Sequence, residues 1–440
     1  MNAPFRPEGP KVITFGCRLN AHESEGVAAQ ARQDGLRAGT IINTCAVTAE
    51  AVRQARQAAR RAHREVAGPV IVTGCAAEVD AEAFAGMAEV DLVVANSMKR
   101  RAGAYGPGAL AQGRVVADGT PAAAGEAPAR SPAGRLNAAG LRARATVEVQ
   151  NGCDHRCTFC IIPFGRGASR SAPAGRVIER VREQLDAGAR EVVLTGVDLT
   201  AWGADLEGAP SLGALVAAIL REAPELPRLR LSSIDAAEID PELLAAFADP
   251  RLMPHLHLSL QAGSDLILKR MRRRHLRADA LRLMEEVRRM RPETAFGADL
   301  IAGFPTEDEA MAAESLALIA EAGLSYVHIF PFSPRPGTPA ARMPQLDRGI
   351  VRDRAEALRA AADAALERHL AARVGRTLKA LVEEPGRARA EDFTEIRFEH
   401  PATPGELGRF QIAAHDGRRA LGYRVQDEWE DARTPGEAPV

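Results

Sequence analysis

Three of the chain's six cysteines, Cys153, Cys157 and Cys160, lie within the single stretch VQNGCDHRCTFC, spaced by three and then two intervening residues. Thiolates gathered so closely on one loop are metal ligands or nucleophiles before they are core residues. Structural zinc wants four donors and usually matches one CxxC pair with another. No second pair exists here, although His155 inside the triplet offers a fourth donor. A three-thiolate set suits a [4Fe–4S] cluster that leaves one iron open to a non-protein ligand, and an open iron is built for chemistry.

The composition sets the context for these thiols. The chain has 440 residues, 46% hydrophobic and 26% charged, with a net charge of -1. This is the profile of a globular protein of several domains, and it argues against a polycationic nucleic-acid wrapper while leaving room for a local basic patch. The opening MNAPFRPEGP lacks an apolar signal core, and no run of about 18 apolar residues spans a bilayer. The reading is a cytoplasmic protein without a membrane partner. Thiols in that compartment stay reduced, which favours metal binding over disulfides.

The elements that must position the thiols form three segments of an α/β chain. In residues 1–100, the runs KVITF, TIINT, VIVTG and DLVVA alternate with polar, Ala-rich helical stretches, which predicts a doubly wound parallel sheet. Cys17, Cys45 and Cys75 each follow one of its first three strands, so all three are expected on one sheet edge, where such folds bind ligands. Taken singly, each also reads as a small buried apolar residue. Residues 101–137 are rich in Gly, Ala and Pro and read as a linker. Residues 138–372 repeat strand and helix six times, as in a partial (β/α)6 barrel, and the triplet follows the first strand. Thr195, Gly196, Ser233, Ser259 and Gln261 fall at the carboxyl ends of its strands and can face a cofactor; ordinary turn and cap roles are the alternative. Residues 373–432 carry short strand-like runs of a small β-barrel, and 433–440 form a tail.

CxxxCxxC after a first barrel strand resembles the signature of radical S-adenosylmethionine enzymes, with Phe159 in the place of an aromatic near the adenine. TFGCRLNAHESE, INTCAVTAEA and VTGCAAE are similar to the three cysteine motifs of the methylthiotransferase family, as are LTGVDLTAWG, HLHLSLQAGSDLILKRMRRRH and FPFSPRPGTPAARM to its barrel segments. The terminal β segment resembles a TRAM domain. The resemblance implies two [4Fe–4S] clusters, one on Cys153, Cys157 and Cys160 and one on Cys17, Cys45 and Cys75, with S-adenosylmethionine on the first. It further implies reductive cleavage to a deoxyadenosyl radical, hydrogen abstraction from an unactivated carbon and methylthio insertion, with an electron donor such as flavodoxin or ferredoxin.

Within the family, NTCAVT and NGCDHRCTFCIIPFGRGASRS are most similar to the branch that modifies carbon 2 of N6-threonylcarbamoyladenosine at position 37 of tRNA, in the anticodon stem-loop. Branches acting on isopentenyladenosine in tRNA or on an aspartate of a ribosomal protein are the alternatives, and a noncatalytic metal-organised RNA-binding protein is the rival of another class. Arg166 and Arg170, on the loop leaving Cys160, and Arg270 and Arg273, in LKRMRRRHLR, are the arginines expected to meet substrate. Arg53, Arg56, Arg60 and Arg64 share a helix face and read either as phosphate contacts or as a solvated surface. The terminal module has 11 Lys and Arg against 13 Asp and Glu from residue 373 onward, which is not the balance of an RNA binder.

Overall fold

The computed structural model describes residues 9–112, 115–116 and 143–425. Five parallel strands, β1 (Lys11–Thr14), β2 (Thr40–Thr44), β3 (Val70–Gly74), β4 (Leu92–Val94) and β5 (Val115–Val116), lie in that order in the amino-terminal sheet. Residues of β2 and β3 are buried throughout because helices cover both faces. Ile41 and Ile71 pack with Val27 and Tyr105 on one side, while Ile42 and Val72 pack with Ala55, Ala59 and Phe84 on the other. Helix α1 (Arg18–Gln33) follows β1, and α2 (Ala49–Glu65) follows β2.

The sheet runs past the residue 100 boundary expected from composition. Asp34 accepts hydrogen bonds from the Gly103 and Tyr105 amides, and the Tyr105 hydroxyl donates to the Lys99 carbonyl, so this segment is fastened to the domain. A helix at Pro107–Gln112 and strand β5 then extend it. The rest of the expected linker, from 117, and the expected tail at 433–440 lie outside the described residues.

Six parallel strands form the central barrel: β6 (Arg144–Glu148), then, after a short antiparallel ribbon of β7 (Gln150–Asn151) and β8 (Arg170–Ser171), β9 (Glu191–Thr195), β10 (Leu229–Leu231), β11 (His255–Gln261), β12 (Ala295–Ala302) and β13 (Leu324–Pro331). Bridges Leu229–Leu252 and Ile234–Leu258 join its two three-stranded halves, leaving β6 and β13 as edges of an open barrel. Strand alternation sorts the side chains. Val147, Val192, Leu194, Leu229, Leu231, Leu256, Leu258, Phe296 and Leu300 pack outward with the helices. Their neighbours Arg144, Glu148, Glu191, Arg230, His255, His257 and Asp299 therefore face a polar lumen. Helix α1 leans on edge strand β6, with His22 4.0 Å from Glu148.

A 24-residue helix, Arg348–Ala371, leads to the closed terminal barrel of β14 (Thr377–Glu384), β15 (Arg387–Ala390), β16 (Glu395–Arg397), β17 (Leu407–His415) and β18 (Ala420–Val425), ordered β14-β15-β16-β18-β17. It docks on the amino-terminal end of the central barrel. Phe393 stacks on His255 at 4.5 Å, and Arg228 and Arg230 donate to the carbonyls of Arg389 and Glu391, each at 3.1 Å. Glu383 pairs with Arg144 and Arg389, and Asp392 with Arg373. Part of the module's acidity is thus spent on internal and docking pairs.

Candidate active site

The first three cysteines stand where the sheet geometry requires. Cys17 precedes α1, Cys45 follows β2, and Cys75 opens a five-residue helix, Cys75–Val79, directly after β3. Two glycines make the approach possible. Gly16 has φ +94°, and a Cβ there would lie 2.6 Å from the Cys45 Cβ; Gly74 also has φ +94°, and a Cβ would lie 2.4 Å from Asn43 Oδ1. Burial pushes the Cys45 thiol up to about 11 and also raises Cys75, against the pull of Arg166 and Lys99 on the latter.

The triplet occupies a loop pinned from several sides. The Cys153 amide donates to the Gly167 carbonyl at 3.1 Å, the Thr158 hydroxyl to the Arg270 carbonyl at 2.8 Å, and the Ala340 amide to the Thr158 carbonyl at 2.9 Å. The Cys153 thiol donates to Asp198 at 3.4 Å, and Arg273 reaches the Cys157 sulfur at 3.7 Å. Burial raises the thiols of Cys153 and Cys160, the latter to about 12, so the protein alone keeps them protonated and a bound metal must displace the protons.

Cys153, His155 and Asp198 each place one donor atom within 4.8 Å of the others. The imidazole is nevertheless engaged: Asp198 at 2.8 Å and Glu238 at 3.5 Å hold its proton and lift its pKa to about 10. A four-ligand zinc cage through His155 would have to break this pair. Three sulfurs without a free fourth donor fit a cluster with one open iron better.

The two cysteine sets are neighbours across the domain boundary. A five-residue helix, Ile162–Arg166, follows Cys160 immediately and packs on Cys75–Val79. A Cβ on Gly165 would lie 3.1 Å from the Cys75 carbonyl oxygen. Arg166 is buried, donating to Glu23 at 2.9 Å, to Asn151 at 3.0 Å and to Asn20. Glu23 also binds Lys99 at 2.6 Å and lies 3.5 Å from Arg100, which pairs with Glu148. Three cations against two carboxylates leave an excess positive charge next to Cys75 and Cys17. That surplus fits anionic thiolate ligands.

Several other expected positions take different roles. Arg166 is not open to substrate: it is an ion-paired strut between the domains, because Glu23 recruits it from the other domain. Arg270 donates to the Thr306 carbonyl at 3.0 Å, and Arg273 binds Asp235 and the Ser259 carbonyl, each at 2.7 Å, so both guanidiniums are engaged by protein. Arg170 is half-exposed and donates to the carbonyls of Ala168 and Arg166. Arg53, Arg56 and Arg60 pair with Glu50, Asp80 and Glu89 on an exposed helix face.

Among the cofactor positions, Thr195 is buried at the end of β9, and Ser233 is exposed on the loop after β10. Gln261 has φ +71° at a register shift between β11 and β12. Phe159 meets Phe304 edge-on at 6.5 Å. Gly196 admits Gln150, whose Oε1 accepts the Val197 and Asp198 amides at 3.0 and 2.8 Å while its Nε2 donates to the Gly152 carbonyl at 2.8 Å. Gln150 thereby couples the cysteine loop to Asp198, a role no sequence pattern announced. His257, Asp299 and His328, on adjacent strands, also converge: both imidazoles meet Asp299 Oδ1, at 3.0 and 3.1 Å.

Residues 147–319 match the radical SAM superfamily, and residues 10–95 match the uncharacterized protein family UPF0004. The chain is 42% identical to the threonylcarbamoyladenosine tRNA methylthiotransferase MtaB of Rickettsia prowazekii, over 91% of this chain and 94% of that one. It is 32% identical to the tRNA-2-methylthio-N(6)-dimethylallyladenosine synthase of Erythrobacter litoralis, over 98% and 97%. Among solved structures, the radical S-adenosylmethionine methyltransferase TsrM of Kitasatospora setae superposes with a TM-score of 0.51 at 14% identity, covering 74% of each chain, a likeness of fold alone. The radical SAM match implies a [4Fe–4S] cluster and S-adenosylmethionine. The chain belongs to the radical S-adenosylmethionine methylthiotransferase family and is an enzyme of that family.

Proposed function

We propose that the protein is a tRNA methylthiotransferase acting on carbon 2 of N6-threonylcarbamoyladenosine at position 37, in the anticodon stem-loop. The observation that carries this reading is the 42% identity, over nearly the whole chain, to a threonylcarbamoyladenosine tRNA methylthiotransferase. The proposal includes a second [4Fe–4S] cluster on Cys17, Cys45 and Cys75, and a low-potential donor such as flavodoxin or ferredoxin. The surplus cation at Arg166, Lys99 and Arg100 beside those thiols supports the second cluster.

Cys153, Cys157 and Cys160 would hold the cluster that, with S-adenosylmethionine, would supply radical hydrogen abstraction, and Cys17, Cys45 and Cys75 would hold the second, which would carry or supply the sulfur. The chain's own residues orient and enclose. Gln150 fixes the loop after β9 to the cysteine loop. Arg273 places positive charge 3.7 Å from the Cys157 sulfur. Arg166 and Glu23 hold the two cysteine sets at a fixed separation, so that a base between them meets both.

The reconstituted protein should convert a stem-loop RNA carrying threonylcarbamoyladenosine to its 2-methylthio form, and replacing any one of Cys17, Cys45 or Cys75 by Ala should stop insertion while leaving S-adenosylmethionine cleavage intact. Full insertion by all three single variants would overturn the second cluster. Conversion of only a dimethylallyladenosine RNA would overturn the substrate.

A further inference from the structure

Among the described residues, the lumen is crowded with arginines, and all but one are paired. Glu191 is shared by Arg144 at 2.9 Å, Arg230 at 2.7 Å and Arg228 at 3.6 Å; Arg389 binds Glu383 and Glu395, each at 3.2 Å. Arg18 has no hydrogen-bond or ion-pair partner among the described residues. It opens α1, one turn before His22, and the i, i+4 spacing puts both on the helix face that meets β6. The charged groups around its guanidinium are Arg144, Arg230, Glu191 and Arg389, the set at the amino-terminal end of the lumen. The side chain is open to solvent at the same time. An arginine stays protonated at neutral pH even there. With three guanidiniums already on Glu191, its neighbours repel it more than they attract it.

A free guanidinium in a recess of net positive charge is a receptor for an anion of carboxylate shape. The substrate proposed above carries one: the threonylcarbamoyl group ends in a carboxylate, whereas a dimethylallyl group has no charge. We propose that Arg18, entering the lumen from the amino-terminal domain, pairs with the threonyl carboxylate and so selects this nucleoside. The inference rests on the substrate reading above. It makes Arg18 a specificity residue next to Cys17, so one segment holds both a sulfur-site ligand and the group that recognises the base's substituent.

The test uses reconstituted full-length protein and two stem-loop RNAs, one with threonylcarbamoyladenosine and one with its carboxylate converted to the neutral carboxamide. Wild type should favour the carboxylate by about 10- to 100-fold in kcat/KM, the scale of one charge-assisted bidentate contact. Arg18→Gln should lose that preference and treat the two RNAs alike, at unchanged iron content. Arg18→Lys should recover part of the preference. Binding of the two RNAs, measured without turnover, should show the same discrimination. Equal loss on both RNAs, or no carboxylate preference in wild type, would overturn the assignment. So would weakened S-adenosylmethionine binding by Arg18→Gln with RNA discrimination intact, since the cation would then serve the methionine carboxylate. If wild type instead modifies only dimethylallyladenosine RNA, the substrate reading fails, and this inference with it.

Discussion

Replacing Glu23 by Gln removes one negative charge from the boundary between the two cysteine sites and changes almost nothing else in shape. Glu23 is 2% exposed and faces Lys99 at 2.6 Å, Arg166 at 2.9 Å and Arg100 at 3.5 Å. Burial opposes its ionisation, but Arg166, Lys99 and Arg100 together hold its carboxyl well below the usual range. In the variant those three cations face Glu148 alone. Breaking a buried pair by deleting one partner costs about 3–5 kcal/mol, so at ~1.4 kcal/mol per decade the separated domains become more populated by roughly 100- to 4000-fold. Hydrogen exchange at amides of residues 162–166 reads this most directly, because that short helix packs across the boundary on Cys75–Val79. Glu23→Gln with Lys99→Met removes one cation as well and should restore part of the loss. The sign with pH is fixed by the same shift: a depressed carboxyl stabilises above its unfolded pKa, and the contribution disappears as pH falls through the folded value. Exchange in Glu23→Gln within a factor of about three of wild type, ~0.65 kcal/mol, would refute the assignment of this pair as the strut.

Two further outcomes follow from the same contacts. Burial holds His22 down at about 4 against an ordinary 6.5, so the unfolded chain binds the extra proton in that window. Stability should therefore fall as pH drops from about 6.5 to 4, by up to ~3 kcal/mol from this group, and His22→Gln should flatten that part of a thermal-unfolding pH profile. Phe393→Ala removes the ring that stacks on His255 and lies under Arg389, 4.7 Å from its centroid, and should loosen the terminal barrel by about 1–3 kcal/mol. Faster protease cleavage near Gly375, without a change in the cysteine sites, is the expected readout.

Much of this architecture was legible because it repeats. β2 and β3 match the runs TIINT and VIVTG residue for residue, since a strand buried on both faces must be continuously apolar. The six cysteines declared themselves by position: a thiol after each of three parallel strands, and three more on one barrel loop. Strand β15 carries no such mark, because RARA has neither β-branched nor aromatic residues, and its pairing with β14 and β16 comes from the closed barrel around it. The strut role of Arg166 is likewise unmarked in the sequence. Its partner Glu23 is 143 residues away, and no local pattern distinguishes a guanidinium bound for a buried carboxylate from one bound for RNA. In the terminal module, Glu383 and Asp392 pair with Arg389 and Arg373, contacts that a charge count does not reveal.

The substrate is defined by the nucleoside that leaves the enzyme. Mass spectrometry of nucleosides from total tRNA of a strain lacking this gene tests it most directly. The 2-methylthio form of N6-threonylcarbamoyladenosine should disappear, its unmethylthiolated precursor should accumulate, and a plasmid copy with Cys153→Ala should fail to restore it. An unchanged level of that nucleoside, or loss of the dimethylallyl derivative in its place, would contradict the account.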